Sequence, residues 1–149
     1  MKIGYGLVAY LVLALPMLGY AQTGVIVYSG DSINKPLSGL LGDAIRGREV
    51  VVSRQTGLCL LCHSGPFPEE RFQGNLAPDL ATSSAKLSSG QMRARIVDAS
   101  RFHQNTIMPS YFRKDNLKYV ATKFDGQTIL SAQEIEDVVV FLVSLNQSR

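Results

Sequence analysis

The sequence predicts an all-α domain, because three segments place a capping residue ahead of apolar residues at helical spacing. Asp43 precedes the first segment, and the other two begin with Ser88-Ser89-Gly90-Gln91 and Ser131-Ala132-Gln133-Glu134, which both have capping-box spacing. A length of 149 residues suits a single domain. We therefore expect one core enclosed by helices.

Residues 1–21 have the features of a secretory signal peptide. Lys2 precedes an apolar run from Leu7 to Leu18, and the small-x-small sequence Gly19-Tyr20-Ala21 offers a cleavage site. An uncleaved membrane anchor is the alternative, but the run is shorter than the ~20 residues of a spanning helix. The sequence therefore predicts export, with no membrane attachment of the mature chain. The full sequence divides into a signal peptide (residues 1–21), an N-terminal extension (residues 22–42) and a folded domain (residues 43–149).

The first predicted helix follows the N-cap Asp43 and runs from Ala44 to about Arg54. Its apolar residues near one side are Ile45, Val51 and Val52. Gly47 lies inside this helix, where a glycine costs about 1 kcal/mol relative to alanine. We expect another helix backbone to approach Gly47 closely, and an incidental surface glycine is the alternative.

The two capping boxes predict a helix from about Ser89 to Ser100 and a C-terminal amphipathic helix of about four turns. The apolar residues of the C-terminal helix are Ile135, Val138, Val139, Leu142 and Val143. Its most natural partner is the first helix, where Phe141 or Leu142 would rest over Gly47. We expect this packing to close the central crevice of the domain.

A CxxCH motif stands in Gly57-Leu58-Cys59-Leu60-Leu61-Cys62-His63, the spacing at which two thiols add to haem vinyl groups. Two intervening residues close one tight turn, so both sulfurs face the porphyrin edge and His63 becomes the proximal ligand. A redox disulfide or half of a zinc site are the alternatives. The chain has only two cysteines and two histidines, which leaves no surplus for a zinc site, and it lacks βαβ alternation. We therefore predict one covalently attached haem c.

A loop rich in Gly, Pro and Phe follows His63 and ends in Gly74-Asn75-Leu76-Ala77-Pro78-Asp79-Leu80. An imidazole that binds a metal usually donates its other N–H to a carbonyl, which fixes the tautomer. We expect the carbonyl of Pro78, or a neighbouring one, to accept this bond. The alternative is that Pro78 only stiffens the loop, and the sequence does not separate the two.

A second chemical site lies in Thr106-Ile107-Met108-Pro109-Ser110-Tyr111. Pro109 disfavours helix at Met108, so the thioether can reach inward from extended chain. Met92 and His103 compete for the same role. Met92 falls on a predicted helix as a core residue, and His103 has no context that fixes it. We predict Met108 as the second axial ligand, since a Met/His pair raises a cytochrome's potential.

The overall charge gives no argument for nucleic-acid binding. The formal charge is +3, and loss of Lys2 with the signal peptide leaves about +2, which two haem propionates would offset.

Taken together, these motifs resemble the class I cytochromes c, and more narrowly the SoxX family, the monohaem subunits of SoxAX thiosulfate-oxidising complexes. The resemblance spans most of the mature chain and is carried by Gly57-Leu58-Cys59-Leu60-Leu61-Cys62-His63, Phe72-Gln73-Gly74-Asn75-Leu76-Ala77-Pro78-Asp79-Leu80, Arg95-Ile96-Val97-Asp98, Thr106-Ile107-Met108-Pro109 and Glu134-Ile135-Glu136-Asp137-Val138-Val139.

The resemblance implies a class I cytochrome c-like fold, with helices packed around one covalently bound haem. It also implies that Cys59 and Cys62 carry the haem, with His63 and Met108 as its axial ligands. The implied protein is periplasmic and pairs with a SoxA-type cytochrome. That partner carries the sulfur chemistry on a carrier protein, and this chain, without catalysis of its own, passes electrons to a downstream acceptor.

Two other functions stay open from the sequence. A free monohaem shuttle between respiratory complexes would be a monomer, whereas a subunit would expose an apolar patch near the haem edge. A small-ligand sensor would need an open iron position, and therefore a Met108 that does not bind iron.

Overall fold

The chain is helical in a computed structural model that describes residues 25–146. The helices are α1 (Ala44–Val52), α2 (Leu80–Ser84), α3 (Ser89–Asp98) and α4 (Ala132–Ser144), with short 3₁₀ turns at Cys59–Leu61, Ala99–Arg101 and Thr122–Phe124. Within the described part of the chain, the only β-pairing is an isolated bridge between Ser29 and Ser32. The predicted all-α class is therefore confirmed, and the predicted signal peptide, residues 1–21, lies outside the described residues.

None of the helices in residues 25–146 is long and apolar enough to cross a membrane.

Helix α1 begins as predicted and ends earlier than predicted. The Asp43 carboxylate accepts hydrogen bonds from the backbone N–H groups of Ile45 and Arg46. The helix ends at Val52 because the Ser53 hydroxyl accepts hydrogen bonds from the next backbone N–H groups and turns the chain away. The predicted apolar side was wrong for Ile45, which is 74% exposed, because the face toward the core is formed by Gly47, Val50 and Val51.

Helices α1 and α4 pack with their backbones in close contact. A Cβ atom at Gly47 would overlap the carbonyl group of Asp137 and lie 2.9 Å from Phe141 Cβ. The expected close approach at Gly47 is thus confirmed, with Phe141 as the residue beside it. Arg46 reinforces the contact through two 2.8 Å hydrogen bonds to the Asp137 carboxylate, which also accepts one from the Asp43 backbone.

Helices α3 and α4 both begin with the predicted capping boxes. Helix α3 ends at Asp98, before the predicted end at Ser100, because the Asp98 backbone is extended and its carboxylate accepts a hydrogen bond from the Ser100 backbone N–H. A 3₁₀ turn follows instead.

Residues 25–42, the described part of the N-terminal extension, have little regular structure, as predicted, and a buried ion pair fastens them to the helices. Arg93 on α3 donates two hydrogen bonds to the Glu136 carboxylate on α4, at 2.8 and 2.7 Å. Arg93 also donates to the carbonyl of Ile33, and Glu136 accepts from the backbone N–H of Leu37. Two helices and the extension therefore meet at one pair of charges.

Candidate haem site

The CxxCH segment forms the tight turn that its spacing predicts. Leu58 enters it in the left-handed conformation, at φ 58°, and the backbone N–H groups of Cys62 and His63 both donate to the Cys59 carbonyl. Cys59 and Cys62 are each partly buried and form no disulfide. Burial raises the pKa of the Cys59 thiol to about 11. A thiol with this pKa is a poor redox nucleophile, which disfavours the redox-disulfide interpretation.

The loop after His63 folds back over the turn and meets the imidazole. His63 Nδ1 lies 2.6 Å from the carbonyl oxygen of Pro78. A carbonyl only accepts, so the Nδ1-protonated tautomer makes this bond, and Nε2 is then the nitrogen able to bind a metal. Backbone hydrogen bonds from Ala77 to Cys62 and from Leu80 to Ser64 hold the loop in place.

A cavity of about 140 Å³ brings the two predicted axial ligands together. Its lining residues are His63, Leu80, Ser83, Ser84, Leu87, Met92, Arg95, Ile96, Met108 and Leu142. Cys59 and Cys62 are outside this lining, and the competitor His103 is exposed and also outside it. The other competitor, Met92, does line the cavity, so cavity geometry alone leaves two methionines.

Hydrogen bonds from the residues that follow Met108 anchor its segment both to α3 and to the start of the CxxCH turn. Tyr111 and Phe112 donate backbone hydrogen bonds to the carbonyls of Ile96 and Val97 on α3, both at 3.2 Å. The buried Tyr111 hydroxyl donates to the Gly57 carbonyl at 2.6 Å, just before the CxxCH turn. Burial also raises the pKa of Tyr111, so the hydroxyl stays protonated and remains a donor. Tyr111 therefore ties the methionine segment to the cysteine turn.

No site role was predicted from the sequence for Tyr111 or Asp98. Arg95 lines the cavity, and Asp98 holds both ends of the Met108 segment. The partners of Tyr111 and Asp98 are distant in sequence or depend on how a helix ends.

The residues around the cavity fit a haem. The walls are mostly aliphatic, as a large apolar macrocycle requires, while an imidazole and thioethers supply the ligand types found in c-type cytochromes. The Arg95 guanidinium adds a positive charge suited to an anionic substituent.

Comparison with known proteins relates the chain to a solved structure. No family model and no curated protein matches the chain. A chain of the crystal structure of SoxXA from P. pantotrophus matches with a TM-score of 0.73 and 29% identity, over 81% of this chain and 94% of that chain. The match supports a relationship to the cytochromes of Sox complexes and does not distinguish their subunits.

Proposed function

We propose that this chain is a periplasmic monohaem c-type cytochrome, made with a signal peptide over residues 1–21. We propose further that it is the electron-transfer subunit of a SoxAX-type L-cysteine S-thiosulfotransferase complex. The observation that carries the proposal is that His63 and Met108 line one largely apolar cavity beside a CxxCH turn. The likeness to SoxXA over most of both chains supports the choice of complex.

In this proposal each site residue has a defined role. Cys59 and Cys62 hold the haem through thioether bonds, while His63 Nε2 and the Met108 sulfur bind its iron. The bound haem supplies one-electron transfer. Pro78 keeps the His63 ring in one orientation through the 2.6 Å contact with Nδ1.

Met108 is preferred over Met92 because of the backbone that carries each. Met92 is 3% exposed within α3, where a capping box and packing fix the helix. Met108 lies in non-helical chain before Pro109, so its position depends on the segment around it and is not fixed by a helix.

Met92→Leu and Met108→Leu are therefore a matched pair of variants. We expect only the Met108 variant to lose the sulfur-to-iron signature from the near-infrared spectrum of the oxidised protein. An unchanged Met108→Leu spectrum would favour the sensor hypothesis or another ligand.

The sulfur chemistry of such a complex would belong to the partner. Both cysteines of this chain are used as thioethers, which cannot form a persulfide, so the chain offers no nucleophilic sulfur. Its part is to accept an electron from the SoxA-type subunit, which acts on the carrier protein, and to pass it to a downstream acceptor.

Exposed apolar side chains favour a subunit over a free shuttle. Leu61, Leu76 and Ile107 are 49%, 71% and 70% exposed. Each is next to or close to a proposed site residue in sequence: Cys62, Pro78 and Met108. We infer that these three side chains belong to one apolar contact surface, since an apolar patch beside a site is typical of a contact with another protein.

Purification from the native source tests the subunit assignment. An affinity-tagged chain should co-purify with a second haem-staining cytochrome, and Leu76→Asp should release it. Leu41→Asp is the matched control, since Leu41 is 91% exposed in the chain just before α1, outside the cavity lining. A monodisperse haem-containing monomer with no second chain would support the shuttle instead.

A further inference from the structure

The Asp98 carboxylate accepts hydrogen bonds from both ends of the segment that carries Met108, which runs from residue 100 to residue 110. Asp98 stands where α3 gives way to the 3₁₀ turn, and its Oδ1 accepts hydrogen bonds from the Ser100 backbone N–H at 3.1 Å and the Ser100 hydroxyl at 2.5 Å. The same oxygen accepts from the Ser110 hydroxyl at 2.6 Å, at the far end of the segment. Its Oδ2 accepts from Arg113 Nη1 at 3.0 Å.

The carboxylate is built into the fold as a charged group. The Asp98 side chain is 15% exposed, and Arg113 beside it is 30% exposed. Burial acts to raise the pKa of Asp98, but hydrogen bonds from Ser100 and Ser110 and the Arg113 charge lower it on balance. Asp98 is therefore ionised at neutral pH and makes charge-assisted hydrogen bonds, which are stronger than neutral ones.

Backbone contacts beyond the segment do not depend on this carboxylate. Tyr111 and Phe112 return to α3 through their own backbone hydrogen bonds, and Tyr111 also bonds the Gly57 carbonyl. Loss of the Asp98 carboxylate would therefore loosen the residues around Met108 while the chain after Ser110 stays docked.

We propose that Asp98 is a positioning residue that keeps the Met108 thioether at the iron. The inference rests on the proposed haem site. A segment fixed at both ends presents its thioether with little conformational entropy left to lose, so an external ligand competes poorly for the same position. A loosened segment gives up that advantage, and external ligands then bind more tightly.

A purely stabilising role is the rival explanation, and Asp137 provides the control for it. The Asp137 side chain is 3% exposed and accepts two hydrogen bonds from an arginine, much as Asp98 bonds Arg113. It lies between α1 and α4, and none of its hydrogen-bond partners belongs to the Met108 segment. Replacing it should weaken the fold without reaching the methionine.

The experiment titrates imidazole against the oxidised, haem-loaded full chain and follows the loss of the methionine-to-iron signature. For Asp98→Ala we expect about a tenfold or larger gain in imidazole affinity, since hydrogen bonds to a charged group are worth about that factor. Asp98→Asn keeps the shape and one acceptor oxygen, and should show a smaller gain. Asp137→Ala should stay within about twofold of the wild type while unfolding at lower urea concentration.

Two results would overturn the proposal. One is an imidazole affinity of Asp98→Ala equal to that of the wild type, and the other is an equal gain in Asp137→Ala. If Asp98→Ala does not accumulate, Ser110→Ala removes one of the same bonds and must shift the affinity in the same direction, and no shift there rejects the proposal.

The wild type and Met108→Leu separate this proposal from the haem assignment beneath it. A wild type without attached haem, or a Met108→Leu variant that titrates like the wild type, contradicts the proposed function and the inference together. Attached haem with a methionine signature that ignores Asp98 contradicts the inference alone.

Discussion

Removal of the Glu136 carboxylate should cost more stability than any other single charge removal at the ion pairs described above. Glu136 is 2% exposed and accepts hydrogen bonds from Arg93 Nε, Arg93 Nη2 and the Leu37 backbone. Glu136→Ala leaves the Arg93 guanidinium, on a side chain 7% exposed, without its counter-charge. Breaking a buried pair from one side costs about 3–5 kcal/mol, so we expect a loss of that size in the free energy of unfolding.

The matched control is the same substitution at an exposed pair. Arg48 and Glu69 form an ion pair whose side chains are 43% and 49% exposed. Exposed pairs contribute about 0–1 kcal/mol, so Glu69→Ala should stay within that range. The double variant Arg93→Met/Glu136→Leu removes both buried charges and should recover most of the loss, since apolar replacements of a buried pair are often neutral.

Urea unfolding of the haem-loaded protein, followed by far-UV circular dichroism, measures all four free energies. Limited proteolysis should also cut residues 25–42 of Glu136→Ala first, because Ile33 and Leu37 are tied to this pair. A loss below about 1 kcal/mol in Glu136→Ala would refute the reasoning. So would a double variant as unstable as the single one, because packing rather than charge would then explain the loss.

Further outcomes follow from the site and the charges. Met108→Leu should open the sixth iron position with the haem still attached, as visible spectra will check, whereas Met92→Leu should not. Cys59→Ala or Cys62→Ala should sharply lower the yield of folded protein, measured by haem stain and blot, because the core would lack its largest apolar group. Burial acts to raise the pKa of Asp137, but hydrogen bonds from Arg46 and Gln133 and the Arg46 charge outweigh it, so the pKa is lowered on balance. Its stabilising effect is then complete above the unfolded pKa of about 3.9 and is lost as pH falls through the lower folded value. Asp137→Asn should therefore flatten the urea stability profile below about pH 4, and an equally steep profile would contradict this assignment. The isolated chain, given thiosulfate, an acceptor and the carrier protein, should show no turnover until a SoxA-type subunit is added, and turnover by the chain alone would contradict the proposed division of roles.

The helices that the sequence predicts well are those with local signals. Capping boxes start α3 and α4, and the glycine at position 47 points to the α1 and α4 contact. Helix α2, Leu80–Ser84, was not predicted because five residues show no apolar period. The Ile45 prediction was wrong because α1 turns a face centred on Gly47, not Ile45, toward α4.

The chemistry of the site is local in sequence, while its support is not. The CxxCH spacing, and the loop that brings the Pro78 carbonyl to His63, could be argued from short strings. The Tyr111 bond to Gly57 and the Asp98 bond to Ser110 join residues that only the tertiary fold brings together. The helical period of the sequence also gave no sign that the Asp98 carboxylate would end α3 by accepting a hydrogen bond from the Ser100 backbone.

Intact mass spectrometry of the chain, purified from a host that exports it and attaches haem, tests the haem assignment most directly. We expect a chain that begins at Gln22 and carries the mass of one haem, with peptide mapping that places both thioethers on Cys59 and Cys62. A bare polypeptide mass, or a mass lower by the two hydrogens of a Cys59 to Cys62 disulfide, would contradict it.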